Sequence, residues 1–149
     1  MILPPDLRDT LVRVAGAMAY ARDPWWIIGS AAVVLHGAAT SVADVDLMTS
    51  ARDARAFLDR TGGVLIDAPH DHFRSSPFGR WPAPPLAVEV MGDLRLHEEG
   101  GWRHVELASR EAVPVGNMQL FVPARGELIA LLHRFGREKD LARAMLLGG

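Results

Sequence analysis

The chain contains no cysteine. That excludes disulfides, thiolate catalysis and cysteine-ligated zinc. Charge of one sign is lacking too. The formal net charge is −2, so no global basic field draws the chain to nucleic acid, although a local basic patch is compatible with that balance. Lysine is nearly absent: of the 16 basic residues, all but Lys139 are arginine, which we read as codon usage in a GC-rich genome. No apolar run approaches the roughly 18 residues that a membrane span needs. The opening MILPPDLRDTLVRVAGAMAY has no charged segment ahead of its apolar residues and carries polar residues throughout, unlike a signal peptide. A cytoplasmic protein without a membrane segment is the expectation. Internal repeats and low-complexity tracts are missing as well.

What is present is enough apolar material for one core. The 149 residues are 49% hydrophobic, which points to a single domain over residues 1–149. A chain of this size buries roughly 70% of its unfolded surface. After Pro4-Pro5-Asp6, the residues Leu7, Leu11, Val14, Ala15 and Met18 recur at helical spacing. Trp25 to Ile28 is an apolar run that predicts a buried strand, Gly29-Ser30 a turn, and Ala31 to His36 a short helix ended by Gly37. Val45 to Met48 predicts a strand, Ala51 to Arg60 a helix with Ala54, Phe57 and Leu58 inward, and Val64 to Ile66 another strand. Pro69 to Pro85, rich in proline and glycine, predicts a long loop or irregular hairpin. Strands are expected over Leu86 to Val90 and Trp102 to Leu107, and a hairpin over Val113 to Val122 around Gly116-Asn117. Arg125 to Leu147 predicts a helical region interrupted at Gly136. The order implies an α+β (mixed α/β) domain with one sheet.

Asp44 and Asp46 stand two apart in a predicted strand, so both side chains share one face. Like charges this close repel, and in a partly buried site one of them is pushed to bind a proton. A divalent cation relieves that repulsion, and Mg²⁺ (or Mn²⁺) takes hard oxygen ligands of this kind. Upstream, Gly29-Ser30 sits where a strand gives way to a helix. Glycine permits close backbone approach to a phosphate, and Ser30 adds a hydroxyl. Glu89 lies within the apolar run Leu86 to Val90, where a lone acid is costly unless paired or metal-bound. Three acids on neighbouring strands match two-metal phosphoryl transfer.

The segment IIGSAAVVLHGAATSVADVDLM resembles the signature of the DNA polymerase β-like nucleotidyltransferase superfamily: an apolar strand, Gly-Ser, a short helix, then Asp-x-Asp in a strand. Glu89 falls where that superfamily has its third, more variable carboxylate. The tail ELIALLHRFGREKDLARAMLL is similar to the end of small bacterial members related to abortive-infection and toxin–antitoxin proteins. The resemblance implies a nucleotidyltransferase fold, one mixed β-sheet flanked by helices. It also implies an NTP and Mg²⁺ as ligands, and transfer of a nucleoside monophosphate to RNA, protein or a small molecule. Residue by residue, it implies phosphate binding by Gly29 and Ser30 and metal binding by Asp44, Asp46 and Glu89. It also implies that Lys139 and Asp140 lie near the site, with Lys139 reaching the triphosphate. Many active members carry Arg and Ser or Thr four and two residues before the first Asp; this chain has Thr40 and Val42 there. A catalytically degenerate nucleotide- or partner-binding protein, a metal-dependent nuclease, and a homodimer or a complex with a partner protein all stay open.

Other residues carry weaker signals. His70-Asp71-His72 reads as polar loop, and the remaining histidines are scattered. No Ser-His-Asp arrangement, Walker-type loop or dinucleotide fingerprint occurs. Arg74, Arg80, Arg134, Arg137 and Arg143 read as scattered surface charge, with a positive rim around an acidic site as the alternative. Trp25, Trp26, Trp81 and Trp102 read as packing residues rather than base-stacking platforms.

Overall fold

Leu7, Leu11, Val14 and Ala15 form the buried stripe of helix α1 (Pro5–Ala17), with proline at its start where a missing N–H costs nothing. The computed structural model describes residues 2–67 and 70–149. After α1 come β1 (Trp26–Ile28), α2 (Gly29–Leu35), β2 (Asp44–Thr49) and α3 (Ala51–Thr61). The strands β3 (Val64–Leu65), β4 (Phe73–Arg74), β5 (Phe78–Trp81), β6 (Ala87–Gly92), β7 (Arg95–Glu98), β8 (Gly101–His104), β9 (Glu111–Val115) and β10 (Met118–Val122) follow. Helices α4 (Arg125–Phe135) and α5 (Glu138–Leu146) come last. No helix among the described residues is long and apolar enough to cross a membrane.

The main sheet has the order β1-β2-β6-β5-β3. It is mixed: β2 and β6 run parallel, and every other neighbour pair is antiparallel. The parallel pair is the sheet's most buried part. Val45, Leu47, Val88 and Val90 are fully buried on one face, packed into a core with residues of α1 and α3 such as Leu11 and Phe57. Each such large side chain contributes about 1.5–3 kcal/mol. The opposite face is divided. Ile28, Met48 and Met91 join a second core with Leu94, Leu96 and Leu131, and the rest of that face carries Asp44, Asp46 and Glu89. A three-stranded sheet of order β4-β7-β8 and the β9–β10 hairpin complete the β-structure.

Several expectations change. Gly29-Ser30 is not a separate turn but the first two residues of α2. Of the loop expected from Pro69 to Pro85, Pro69 lies outside the described residues; the part from His70 on contains β4 and β5, and β5 is an internal strand of the main sheet. Pro77 and Pro82 flank β5 without entering it, so they cost the ladder no hydrogen bond. β7 was not expected at all. The region expected as one strand from Trp102 begins at Gly101 and ends at His104. The hairpin turns at Gly116, with φ +56°, and the terminal helical region breaks at Gly136, a left-handed cap with φ +70°.

Two anchors set the framework around the acidic face. Asp53, 5% exposed in the first turn of α3, accepts the backbone N–H groups of Arg22 (3.0 Å) and Asp23 (2.7 Å). That ties α3 to the chain entering β1. Glu127, in the first turn of α4, accepts N–H groups from Ala108 and Ser109 at 2.8 Å each. We expect Asp53→Ala to destabilise the fold by about 2–3 kcal/mol, because it orphans part-buried backbone donors. Urea denaturation of the two proteins measures this, and a change below about 0.5 kcal/mol would refute the anchoring role.

Candidate functional site

The register of the central strands determines which side chains meet. In the parallel pair, Asp46 lies opposite Glu89, and Asp44 opposite Ala87. On the outer sides Ile28 lies opposite Asp46, and Arg80 opposite Glu89. One row across four strands therefore reads Ile28, Asp46, Glu89, Arg80. Asp44 sits one pleat along on the same face. Arg80 answers the negative charge: its guanidinium is 3.3 Å from Asp44 and 3.8 Å from Glu89.

Electrostatics follow from that crowding. Asp46 is pushed up to about 7, first by burial, then by Glu89 and Asp44, and is drawn partly back by Arg137 and Lys139. Glu89 is also raised, chiefly by burial and Asp44, against the pull of Arg80 and Lys139. Among the described residues no three Asp, Glu or His side chains already form a metal cluster. Three uncompensated carboxylates repel, and two of them lean to Arg80. The donor set itself, three oxygen acids with a guanidinium at their side, fits a hard cation.

Gly29 belongs to the same arrangement. Its φ is +65°, and a Cβ built there would overlap Oδ2 of Asp46. Any side chain at this position collides with a carboxylate held by the central strand, so the glycine and Asp46 are one steric unit. Ser30 is 7% exposed in the next position.

These residues share one cleft of about 310 Å³. Gly29, Ser30, Asp44, Asp46 and Glu89 form its floor on the sheet side. Lys139, Asp140, Arg137 and Arg143 line it from α5 and the turn before it, and Leu128, Leu131, Leu132 and Phe135 of α4 supply an apolar wall. All the residues singled out from the sequence as site candidates thus meet in one place. Asp140 is 2% exposed and its carboxylate is already engaged: it accepts from Nε of Arg137 at 2.7 Å and from the Arg137 backbone N–H at 3.2 Å. It closes the first turn of α5 and so fixes where Lys139 stands.

The same architecture occurs in solved structures of nucleotide-transferring enzymes. A Thermotoga maritima protein assigned as a nucleotidyltransferase superposes with a TM-score of 0.75 at 23% identity, over 89% of this chain and 86% of that one. The antibiotic-resistance factor ANT(2'')-Ia gives 0.63 at 10% identity, over 97% and 84% of the two chains. The lincosamide antibiotic adenylyltransferase LnuA gives 0.60 at 13% identity, over 99% and 98%. This is the nucleotidyltransferase fold. No protein-family model and no curated protein sequence matches the chain.

Within the nucleotidyltransferase fold, the positive rim given from the sequence only as the alternative to scattered charge forms in part. Arg80 comes from β5 and Arg137 and Arg143 from the cap and body of α5, and all three reach the acidic floor or line the cleft beside it. Arg134 does not: it pairs with Glu98 at 2.8 Å. His70 lines the cleft, and its pKa is lowered by burial first, then by His72, Arg137 and Lys139. The signal for Arg80 was its place two residues past Phe78 in a strand hidden among prolines.

Two outcomes follow. Gly29→Ala should destabilise the fold by about 1–3 kcal/mol, and Asp46→Ala should recover part of that loss in the double variant, as measured by a double-mutant cycle in urea. A purely backbone effect would leave the penalty unchanged. The raised Asp46 carboxyl favours the folded state at low pH, and that contribution is lost as pH rises from the unfolded value of 3.8 through about 7. Asp46→Asn should therefore stabilise the protein by about 2 kcal/mol at pH 8 and hardly at all at pH 4, in thermal melts without divalent cation. Equal effects at both pH values would contradict the raised pKa.

Proposed function

We propose that the protein is a metal-dependent nucleotidyltransferase that moves a nucleoside monophosphate from an NTP to a hydroxyl acceptor. The observation that supports this best is the cleft itself. Asp44, Asp46 and Glu89 occupy one face of the central strands, with Lys139, Arg137 and Arg143 across from them. An anion bound there meets cationic side chains, while the carboxylates stay free to hold cations.

Asp44, Asp46 and Glu89 would hold Mg²⁺ or Mn²⁺, which when bound neutralises charge on the phosphates and on the departing pyrophosphate. Gly29 lets the backbone approach the phosphates closely, and Ser30 offers its hydroxyl. Lys139 binds the triphosphate tail as a point charge. The acceptor oxygen attacks the α-phosphorus, a new P–O bond forms, and the bond to the bridging oxygen breaks. Pyrophosphate leaves with that electron pair. Glu89, half-buried and with its pKa raised by burial and Asp44, takes the acceptor's proton. The apolar wall of Leu128, Leu131 and Phe135 packs the base and keeps water from the reacting atoms.

Arg80 supports a second reading, a nucleotide-binding protein without transfer. Its guanidinium already serves Asp44 and Glu89 where a cation would. Calorimetric titration of the four NTPs with and without Mg²⁺ tests both readings. Transfer requires Mg²⁺-dependent binding that falls by about 100-fold in Asp44→Asn/Asp46→Asn and by about 10-fold in Lys139→Ala. It also requires release of pyrophosphate with some acceptor. Binding without pyrophosphate release from any acceptor would favour the second reading, and no binding at millimolar NTP would defeat both.

A further inference from the structure

Arg80 is the only basic residue in the five strands of the main sheet. Its backbone is held on both sides, opposite Glu89 of β6 and opposite Val64 of β3. The side chain therefore approaches the acids from an internal strand and not from a loop. Its guanidinium straddles two carboxylates, 3.3 Å from Asp44 and 3.8 Å from Glu89. The arginines that serve a single acid close in further: Arg137 stands 2.7 Å from Asp140, and Arg134 2.8 Å from Glu98. A position shared between two oxygen acids is where a bound cation sits.

Asp46 lies at the other end of the acidic row, two strands from Arg80. Its neighbours there are Ile28 and Gly29, whose missing side chain leaves room for Oδ2 of Asp46. Asp44 has both sides within reach. It shares the guanidinium with Glu89, and it shares a strand face with Asp46. The layout is that of two adjoining cation positions with one acid in common. Charge decides how many ions fit. Fully ionised, the three carboxylates with a guanidinium that stays protonated leave about −2. One divalent ion cancels that, whereas a second would turn the floor to about +2 and stand against the guanidinium. On the far wall, Lys139, Arg137 and Arg143 already offer positive charge to a triphosphate.

We infer that the cleft takes a single divalent ion, on the side of Asp46 and Gly29, and that Arg80 is the second cation, built into the sheet. The inference rests on the reading of the cleft as a nucleotidyltransferase site. It departs from the two-ion arrangement that three acids suggest by themselves. Arg80 is then a positioning residue. It holds Asp44 and Glu89 together against their repulsion, and it supplies fixed positive charge beside the acid that takes the acceptor's proton. The entering ion competes with it for Asp44, the acid both can reach.

The test counts Mn²⁺ by electron paramagnetic resonance. The signal of the free ion gives the number bound per chain, and two ions sharing Asp44 couple magnetically where one does not. The proteins are wild type, Arg80→Ala, Arg80→Lys and Arg80→Ala/Glu89→Gln. Each carries one equivalent of the α,β-methylene analogue of the NTP that binds best, and melting curves check folding. The Arg80 side chain is half-exposed, so its removal should leave the fold intact; should Arg80→Ala not fold, Arg80→Gln replaces it. We expect one uncoupled Mn²⁺ per chain in wild type and two coupled ions in Arg80→Ala. Arg80→Lys restores the charge and should return the count to one. The double variant lacks the acid for the second ion and should also hold one. Two coupled ions in wild type would overturn the inference and leave the reading of the cleft standing. So would a single ion in folded Arg80→Ala with its analogue bound, or two ions in Arg80→Lys. If no protein takes Mn²⁺ or any NTP, the reading of the cleft falls and the inference falls with it.

Discussion

Asp46 and Glu89 stand side by side across a parallel β-ladder, and most of the cleft can be understood as a response to that contact. Two acids in register on buried central strands are unfavourable by themselves. The valines and leucines that alternate with them hold the strands in place from the other face, so the acids cannot drift apart by slipping register. Arg80 arrives from the next strand as a counter-charge, and Lys139 and Arg137 offset the negative charge from across the gap. The fold's stability, held on one face of the sheet, is what permits a strained charge distribution on the other.

Local order at the cleft is equally interlocked. Gly29 has no side chain because Asp46 occupies the space one would need. Asp140 is buried against Arg137 and so sets the start of α5, which in turn sets the position of Lys139. Glu127 pins α4 to the 108–109 segment and thereby places the apolar wall. Each of these polar groups acts by fixing a backbone rather than by facing the cleft alone. That arrangement gives a cleft on elements whose mutual positions are held by several independent contacts.

Much of this was readable before the structure. The stripe of Leu7, Leu11 and Val14 named α1, and Gly116 and Gly136 marked real turns because only a left-handed backbone serves there. Asp44, Asp46 and Glu89 stood out because acids are rare in apolar strands. Their meeting was not readable in the same sense, since nothing local in the sequence states that Asp46 aligns with Glu89 rather than with its neighbours. β5 was hidden by the prolines that flank it, and with it went Arg80. β7 was hidden differently: Leu94, Leu96 and the polar residues between them alternate as a strand should, but the segment is short and follows directly on β6 across Gly92-Asp93. Arg80 comes from β5, far in the chain from Arg137 and Arg143 at α5, so their convergence is a property of topology.

Arg80 changes what cation affinity means at this site. The guanidinium is a tethered ion already resident between Asp44 and Glu89. A divalent metal bound as proposed would not fill a vacant cage; it would exchange with a covalently attached competitor whose local concentration never falls. Its binding constant would then be an exchange constant, set by the difference between two charge pairings and by where the displaced arginine finds its next acceptor. A triphosphate arriving with its metal supplies such an acceptor, so nucleotide and metal would enter more readily together than either does alone.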